Sequence, residues 1–96
     1  MLMYDRLLTE TKNALLNAVK TAKAPVRVKK VLFVLAKRFN FQQAYHFWQY
    51  NGYEEEGFQY LIIDGIKKEA VKKLPNTDAD EIEQIITDIV FTVIPA

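Results

Sequence analysis

Apolar residues recur every three or four positions through most of this chain, in segments divided by short breaks. Such spacing places apolar side chains on one side of a helix, whereas a half-buried strand would show strict alternation. One break falls at Ala24-Pro25, because proline disfavours helix at the residue before it and suits the first turn of a new helix. The pattern therefore predicts an all-α fold with short connections.

Five helices are predicted from the breaks and from local start and stop signals. Asn40 lies three residues before Gln43, and its side chain can accept the backbone amide hydrogen of that third helical residue. Asn51 and Gly52 tolerate the left-handed conformation that ends helices, and Asp78 is typical of a helix start. The predicted helices of this compact bundle cover approximately residues 4–23, 26–38, 41–50, 54–74 and 78–93.

The apolar content of the predicted helices suggests how they pack. The second helix has almost no polar face, which is typical of the most buried helix of a bundle, and we expect it to be central. Gly65 lies inside the fourth predicted helix, where the absence of a side chain can permit close contact with a neighbouring helix.

Two apolar stretches have the length and composition of strands. Residues 58–63 are one, but Asp64 precedes Lys68 by four positions, an acid-before-base spacing that favours a helix. Residues 89–94 are rich in β-branched side chains, so a terminal strand is the alternative to a helix there. We expect this apolar end either to close the core or to contact another chain.

The length of 96 residues, with 50% apolar and 26% charged content, predicts a single helical domain over residues 1–96. The longest apolar run, residues 31–36, is far shorter than the roughly 20 residues of a membrane-spanning helix. Residues 1–4 lack the basic segment of a signal peptide. The absence of cysteine favours an intracellular, cytoplasmic protein.

The chain lacks the residues that several kinds of catalysis require. The chain has no serine and no cysteine, and His46 is its only histidine, which excludes a serine hydrolase, a thiol nucleophile and a multi-histidine metal site. Glu54, Glu55 and Glu56 are consecutive, so on a helix they would point in different directions; we interpret them as favourable charges at a helix start. We therefore expect a protein that is not an enzyme and has no catalytic residues, metal, cofactor or small-molecule substrate.

Two short resemblances involve the predicted third helix. Residues 35–41 resemble the first helix and turn of helix-turn-helix DNA-binding domains, with Asn40 at the position where those domains place a turn glycine. The resemblance implies a recognition helix at residues 42–50, but this segment contains no Arg or Lys. A second spacing resembles the packed turn of ubiquitin-associated domains; its residues are Phe41, Ala44, Phe47 and Trp48. Any tightly packed helical hairpin could produce both patterns.

Charge is unevenly distributed along the chain. Residues 1–40 contain nine Lys/Arg and two Asp/Glu, a net +7, whereas residues 41–96 contain four and ten, a net −6. This asymmetry predicts either a basic surface for nucleic acid or acidic lipid, or two halves that attract each other within one fold or across a dimer. The candidate phosphate-binding residues are Lys23, Arg27, Lys30, Lys37 and Arg38.

Aromatic residues are concentrated between positions 45 and 60, in a larger number than one helix face can bury. Tyr and Trp are favoured at protein interfaces because they combine a large apolar area with a polar group. The candidate partner-binding residues are Tyr45, Trp48, Tyr50 and Tyr53. The leading hypothesis is a small helical interaction protein, acting as a regulator, inhibitor or assembly component, that binds another protein or forms a homo-oligomer. The alternative is a nucleic-acid-binding protein that uses the basic N-terminal half.

Overall fold

A computed structural model describes the backbone of residues 3–95 and the side chains of residues 6–95. Met1 and Leu2, to which part of the signal-peptide expectation applies, lie outside the described residues. The described residues form five helices and contain no strand. The helices are α1 (Met3–Thr21), α2 (Val26–Arg38), α3 (Phe41–Tyr50), α4 (Gly57–Lys73) and α5 (Ala79–Val93). The predicted all-α fold is confirmed, and α2 and α3 have the predicted bounds.

The helix starts of α3 and α5 are capped as the sequence predicts. The Asn40 side chain accepts a hydrogen bond from the Gln43 amide at 2.9 Å. The Asp78 carboxylate accepts bonds from the amides of Asp80 and Glu81 at 2.7 and 3.3 Å. Each cap satisfies amides that would otherwise lack a partner within the helix.

Two helix ends differ from their predicted positions by two residues or more, and the start of α1, the end of α4 and the start of α5 differ by one residue each. α1 ends at Thr21, two residues early, because the chain already bends over residues 22–24 to enter α2 at Pro25. α4 begins at Gly57 and not at residue 54, because a turn closed by a 2.9 Å bond from the Gly57 amide to the Glu54 carbonyl precedes it. Glu54, Glu55 and Glu56 therefore lie in the α3–α4 connection, and their predicted place in the first helical turn is wrong.

The most buried helix is α4, and the expectation that α2 is central is wrong. α4 packs against α2, α3 and α5, while α1 packs against α2, α3 and α5. α4 buries six of its 17 residues, whereas α2 exposes Val26 and Val34 to solvent. The apolar content of α2 thus exceeds what its neighbours cover. The seven largest fully buried side chains are Leu15, Leu32, Ile62, Ile63, Leu74, Ile82 and Val90.

α4 and α5 are joined at both ends of their contact. The buried Gln59 side chain donates a hydrogen bond to the Ile94 carbonyl at 3.4 Å. Further along, the Lys67 ammonium forms an ion pair with Glu83. The helix of α5 continues to Val93, so the alternative of a terminal strand is wrong and this apolar segment packs on the core.

The connection between α2 and α3 does not have the geometry of a helix-turn-helix. Only Phe39 and Asn40 lie between the two helices, whereas that motif uses a turn of three or four residues. α3 packs mainly against α4 and α1. The close approach that Gly65 permits is to the Phe39 ring of this connection and not to a helix.

Candidate interaction surfaces

Four aromatic rings form a packed cluster at the junction of α3 and α4. The Trp48 ring lies 4.7 Å from that of Tyr53, centroid to centroid, and 5.9 Å from that of Phe58. Tyr45 contacts both Trp48, at 5.8 Å, and Phe58, at 5.9 Å. The Trp48 indole also donates a hydrogen bond to the Glu54 carbonyl at 2.8 Å. These contacts pack the α3–α4 connection against α3 and the start of α4.

The α3–α4 connection contains three residues in the left-handed region. Gly52 has φ 85°, Tyr53 has φ 59° and Glu56 has φ 61°. A residue with a side chain costs about 1–2 kcal/mol in this conformation. Tyr53 makes two hydrogen bonds that hold it in place. Its backbone amide donates to the Trp48 carbonyl at 3.3 Å, and its hydroxyl accepts a bond from the Gln49 side chain at 2.9 Å. The direction of the Tyr53 ring is therefore set by several contacts.

Four exposed rings lie in or near this cluster, and we call them the aromatic surface: Phe47, Tyr50, Tyr53 and Tyr60. Tyr50, at the end of α3, is 93% exposed, and Phe47, one helical turn earlier, is 57% exposed. Tyr60 is about half exposed, and its ring lies 5.6 Å from that of Phe91. Exposed aromatic rings on a small protein are characteristic of contact sites for other molecules.

Carboxylates lie next to the aromatic surface. A cleft of about 350 Å³, which we call the acidic cleft, has Phe47, Trp48, Tyr60, Glu54, Glu55 and Asp64 among its lining residues. The three acidic residues are exposed. Aromatic faces and carboxylates both attract cations, so this cleft has the chemistry to accept a lysine or arginine side chain.

The four predicted partner-binding residues have two different environments. Tyr45 and Trp48 are half-buried in the packed cluster. Tyr50 and Tyr53 are exposed on the aromatic surface, although Tyr53 also contacts Trp48 in the packed cluster. The candidate set omitted Phe47 and Tyr60. The helical spacing of Phe47 and Tyr50 could have identified the first; the exposure of Tyr60 depends on how α4 packs.

All five predicted phosphate-binding residues are exposed. Lys23 lies in the α1–α2 connection, and the other four lie on α2. Arg27, Lys30, Lys37 and Arg38 share the helix face opposite the buried Val28, Leu32, Leu35 and Ala36. The exposed Val34 lies within this face, so the surface is both basic and apolar.

A groove of about 530 Å³ runs between the end of α1 and residues 26–34 of α2, and we call it the basic groove. Its lining residues include Lys20, Val26, Lys29, Lys30, Phe33 and Val34. Val26 is 67% exposed, and the Lys20 ammonium lies 5.3 Å from the centre of the Phe33 ring. The groove therefore offers apolar walls with lysine side chains around them.

The basic and acidic halves do not neutralise each other by ion pairs in the described part of the chain. The described ion pairs are Arg6–Glu10 in α1, Lys72–Glu69 in α4, and the pair that joins α4 to α5. The predicted partners Asp64 and Lys68 are not among them. No described Lys or Arg of residues 6–40 pairs with a carboxylate of residues 41–95. The expected attraction between the two halves is thus not realised as direct ion pairs within this part of the chain.

Three further features bear on the range of functions. His46 is exposed, and its ring lies 6.3 Å from that of Tyr45. Among the described residues, no three His, Cys, Asp or Glu side chains are grouped so that they could hold a metal ion. No helix among the described residues is both long and apolar enough to cross a membrane.

The chain matches no protein-family model, no curated protein and no solved structure.

Proposed function

We propose that this chain is a non-enzymatic interaction protein that binds a protein partner through its aromatic surface. The observation that carries the proposal is the exposure of Tyr50 and Phe47 beside the packed cluster around Trp48. Exposed rings on a fixed support lose little conformational entropy on binding, and such residues dominate the energetics of protein interfaces.

The chemistry of the partner follows from the carboxylates around these rings. Glu54, Glu55 and Asp64 give the acidic cleft a negative rim. A partner with lysine or arginine beside apolar side chains would meet both features, whereas an acidic partner would be repelled. The proposed partner surface is therefore apolar and basic.

A binding experiment with designed peptides tests this function. The probes are two short amphipathic helical peptides of the same apolar face, one with lysine and one with glutamate on its polar face. We expect calorimetry to detect binding of the lysine peptide only. The double variant Phe47→Ala/Tyr50→Ala should weaken binding by at least about tenfold, as loss of interface aromatic residues commonly does.

The matched control is Leu7→Ala, which removes an exposed apolar side chain of α1 that lines neither the acidic cleft nor the basic groove. Binding should be unchanged in this control. Equal binding of both peptides, or equal binding by the double variant and the wild type, would contradict the proposal.

A second candidate function, nucleic-acid binding through α2, is favoured by the four cations on one exposed face of that helix. Fluorescence anisotropy with short duplex DNA and with RNA at about 50 mM salt tests it, because electrostatic affinity is large at low salt. Arg27→Ala/Lys30→Ala should then weaken binding. Lys68→Ala/Lys73→Ala, which removes two exposed cations from α4, is the control. Undetectable binding under these conditions would rule this function out.

A further inference from the structure

We infer that the partner of the aromatic surface is a second copy of this chain, whose basic groove receives Tyr50. The inference rests on the proposed function and names the partner of the same surface. It predicts a head-to-tail contact in which the end of α3 of one copy lies against α1 and α2 of the next.

The basic groove has lining residues whose chemistry suits an aromatic side chain. Its volume of about 530 Å³ lies within the usual range of binding sites. Val26 and Val34 provide exposed apolar walls, and the partly buried Phe33 also lines the groove. Lys29 and Lys30 are also lining residues, so their ammonium groups could interact with the face of an inserted ring.

The end of α3 supplies a projecting group for this groove. Tyr50 is the last residue of α3 and is almost fully exposed, so its ring can enter a groove without a change in the fold. Phe47 lies one turn before it on the same helix face. Glu54 and Glu55 follow in the connection, so acidic groups would approach the lysines around the groove.

Charge decides between a head-to-tail contact and a symmetric one. In a symmetric dimer through the basic groove, Lys29 and Lys30 of one copy would face the same lysines of the other copy. In a symmetric dimer through the acidic cleft, the carboxylates of the two copies would face each other. Like charges across an interface are unfavourable, whereas the head-to-tail contact joins a basic surface to an acidic one. The described cations of residues 6–40 have no ion-pair partners in residues 41–95. Lys29 and Lys30 are in none of the described ion pairs, so their charges are available to another copy.

The basic groove and the aromatic surface are separate, so the copies at the two ends of an assembly can each bind a further copy. The lining residues of the basic groove and those of the acidic cleft have no member in common. Tyr50 is not a lining residue of the groove. Each copy can therefore use both surfaces at once, and such a heterologous contact extends into a chain unless its rotation closes a ring.

Sedimentation velocity over a range of protein concentrations measures this association. We expect a Kd on the order of 100 µM, as for a weak contact that is centred on one inserted side chain. The average mass should rise with concentration and fall when salt increases from about 50 to about 500 mM, because salt screens exposed charges. Leu7→Ala should behave as the wild type.

Two variants separate the two sides of the contact. Lys30→Glu/Val34→Glu alters the groove, and Tyr50→Ala/Glu55→Lys alters the projecting side; all four residues are exposed, and circular dichroism checks their folding. Each variant alone should be monomeric. A mixture of the two should form a dimer and nothing larger, because one intact groove and one intact Tyr50 remain.

The outcomes distinguish this inference from the proposed function. A wild type that stays monomeric up to about 1 mM but binds the lysine peptide would overturn the inference alone. A monomeric wild type that binds neither peptide would overturn both. If either variant alone still associated, the head-to-tail contact would be excluded. It would also be excluded if the mixture of the two variants stayed monomeric. If the wild type bound nucleic acid without self-association, and the groove variant did not bind it, the groove would be a nucleic-acid site and the inference would be overturned.

Discussion

Gly65 of α4 faces the Phe39 ring so closely that a Cβ atom at this glycine would lie 2.5 Å from Phe39 Cε1. Phe39 in turn packs edge-on against Phe41, at a centroid distance of 4.9 Å. The contact therefore links the middle of α4 to the first residue of α3. Because α3 contains Phe47 and Tyr50 of the aromatic surface, this contact helps to position the candidate site.

Gly65→Ala should destabilise the protein although alanine favours helix. Overpacking against Phe39 costs about 1–3 kcal/mol, whereas the gain in helix propensity is about 1 kcal/mol. We expect a net loss of about 1 kcal/mol in the free energy of unfolding, measured by urea denaturation. In a Phe39→Ala background the clash is absent, so Gly65→Ala should become stabilising by about 1 kcal/mol. The same sign in both backgrounds would contradict this account.

The parts of the fold that the sequence predicted well depend on local chemistry. The bounds of α2 and α3 follow from Pro25, from the Asn40 cap and from the stop at Asn51 and Gly52, and each of these residues acts on its own neighbours. The predicted start of α4, at residue 54, was wrong because Glu56 adopts a left-handed conformation for which glutamate has no preference.

Burial and surface chemistry were harder to predict because they depend on which helices become neighbours. The apolar content of α2 does not reveal that Val26 and Val34 remain uncovered. Similarly, the sequence grouped Tyr45 with Tyr50, but only the packing of α4 separates the half-buried ring from the exposed one. Tyr50 and Tyr53 were identified because Tyr is frequent at interfaces. Phe47 was missed because the candidate set was limited to residues with a polar group, although Phe47 lies one helical turn before Tyr50.

Glu56→Gly should stabilise the protein. Glu56 has φ 61°, and its side chain makes no capping hydrogen bond at the start of α4. Glycine avoids the left-handed cost of about 1–2 kcal/mol but loses about 0.5–1 kcal/mol through the flexibility of the unfolded chain, so the net gain is roughly 0.5–1 kcal/mol. Urea denaturation measures it. Glu55→Gly, at a residue outside the left-handed region, is the control and should destabilise by about 0.4–1 kcal/mol. A loss in both variants would show that the Glu56 backbone is not strained.

Gln59→Glu should introduce a pH-dependent loss of stability. The Gln59 side chain is buried and donates to the Ile94 carbonyl, and an ionised carboxylate cannot donate. We expect a loss of about 1–3 kcal/mol at pH 7, the usual cost of a buried unsatisfied group. Burial should raise the carboxyl pKa above the unfolded value of about 4.3, so the loss should shrink as the pH falls to about 4. Thermal denaturation at both pH values measures the change. Gln59→Leu is the control, and its effect should not depend on pH; a pH-independent loss in Gln59→Glu would contradict the prediction.

The ion pair of Lys67 with Glu83 should contribute stability that disappears at alkaline pH. The hydrogen bond to Glu83 raises the pKa of Lys67 above its usual value, more than desolvation lowers it. A lysine whose pKa is higher in the folded protein stabilises the fold below the unfolded pKa of about 10.4, and this contribution is lost as the pH rises through the folded pKa. Urea midpoints from about pH 8 to about pH 11.5 should therefore fall more steeply in the wild type than in Lys67→Met. Lys68→Met, which removes a neighbouring exposed lysine, should retain the wild-type slope. If Lys67→Met kept that slope as well, the ion pair would not account for the alkaline loss.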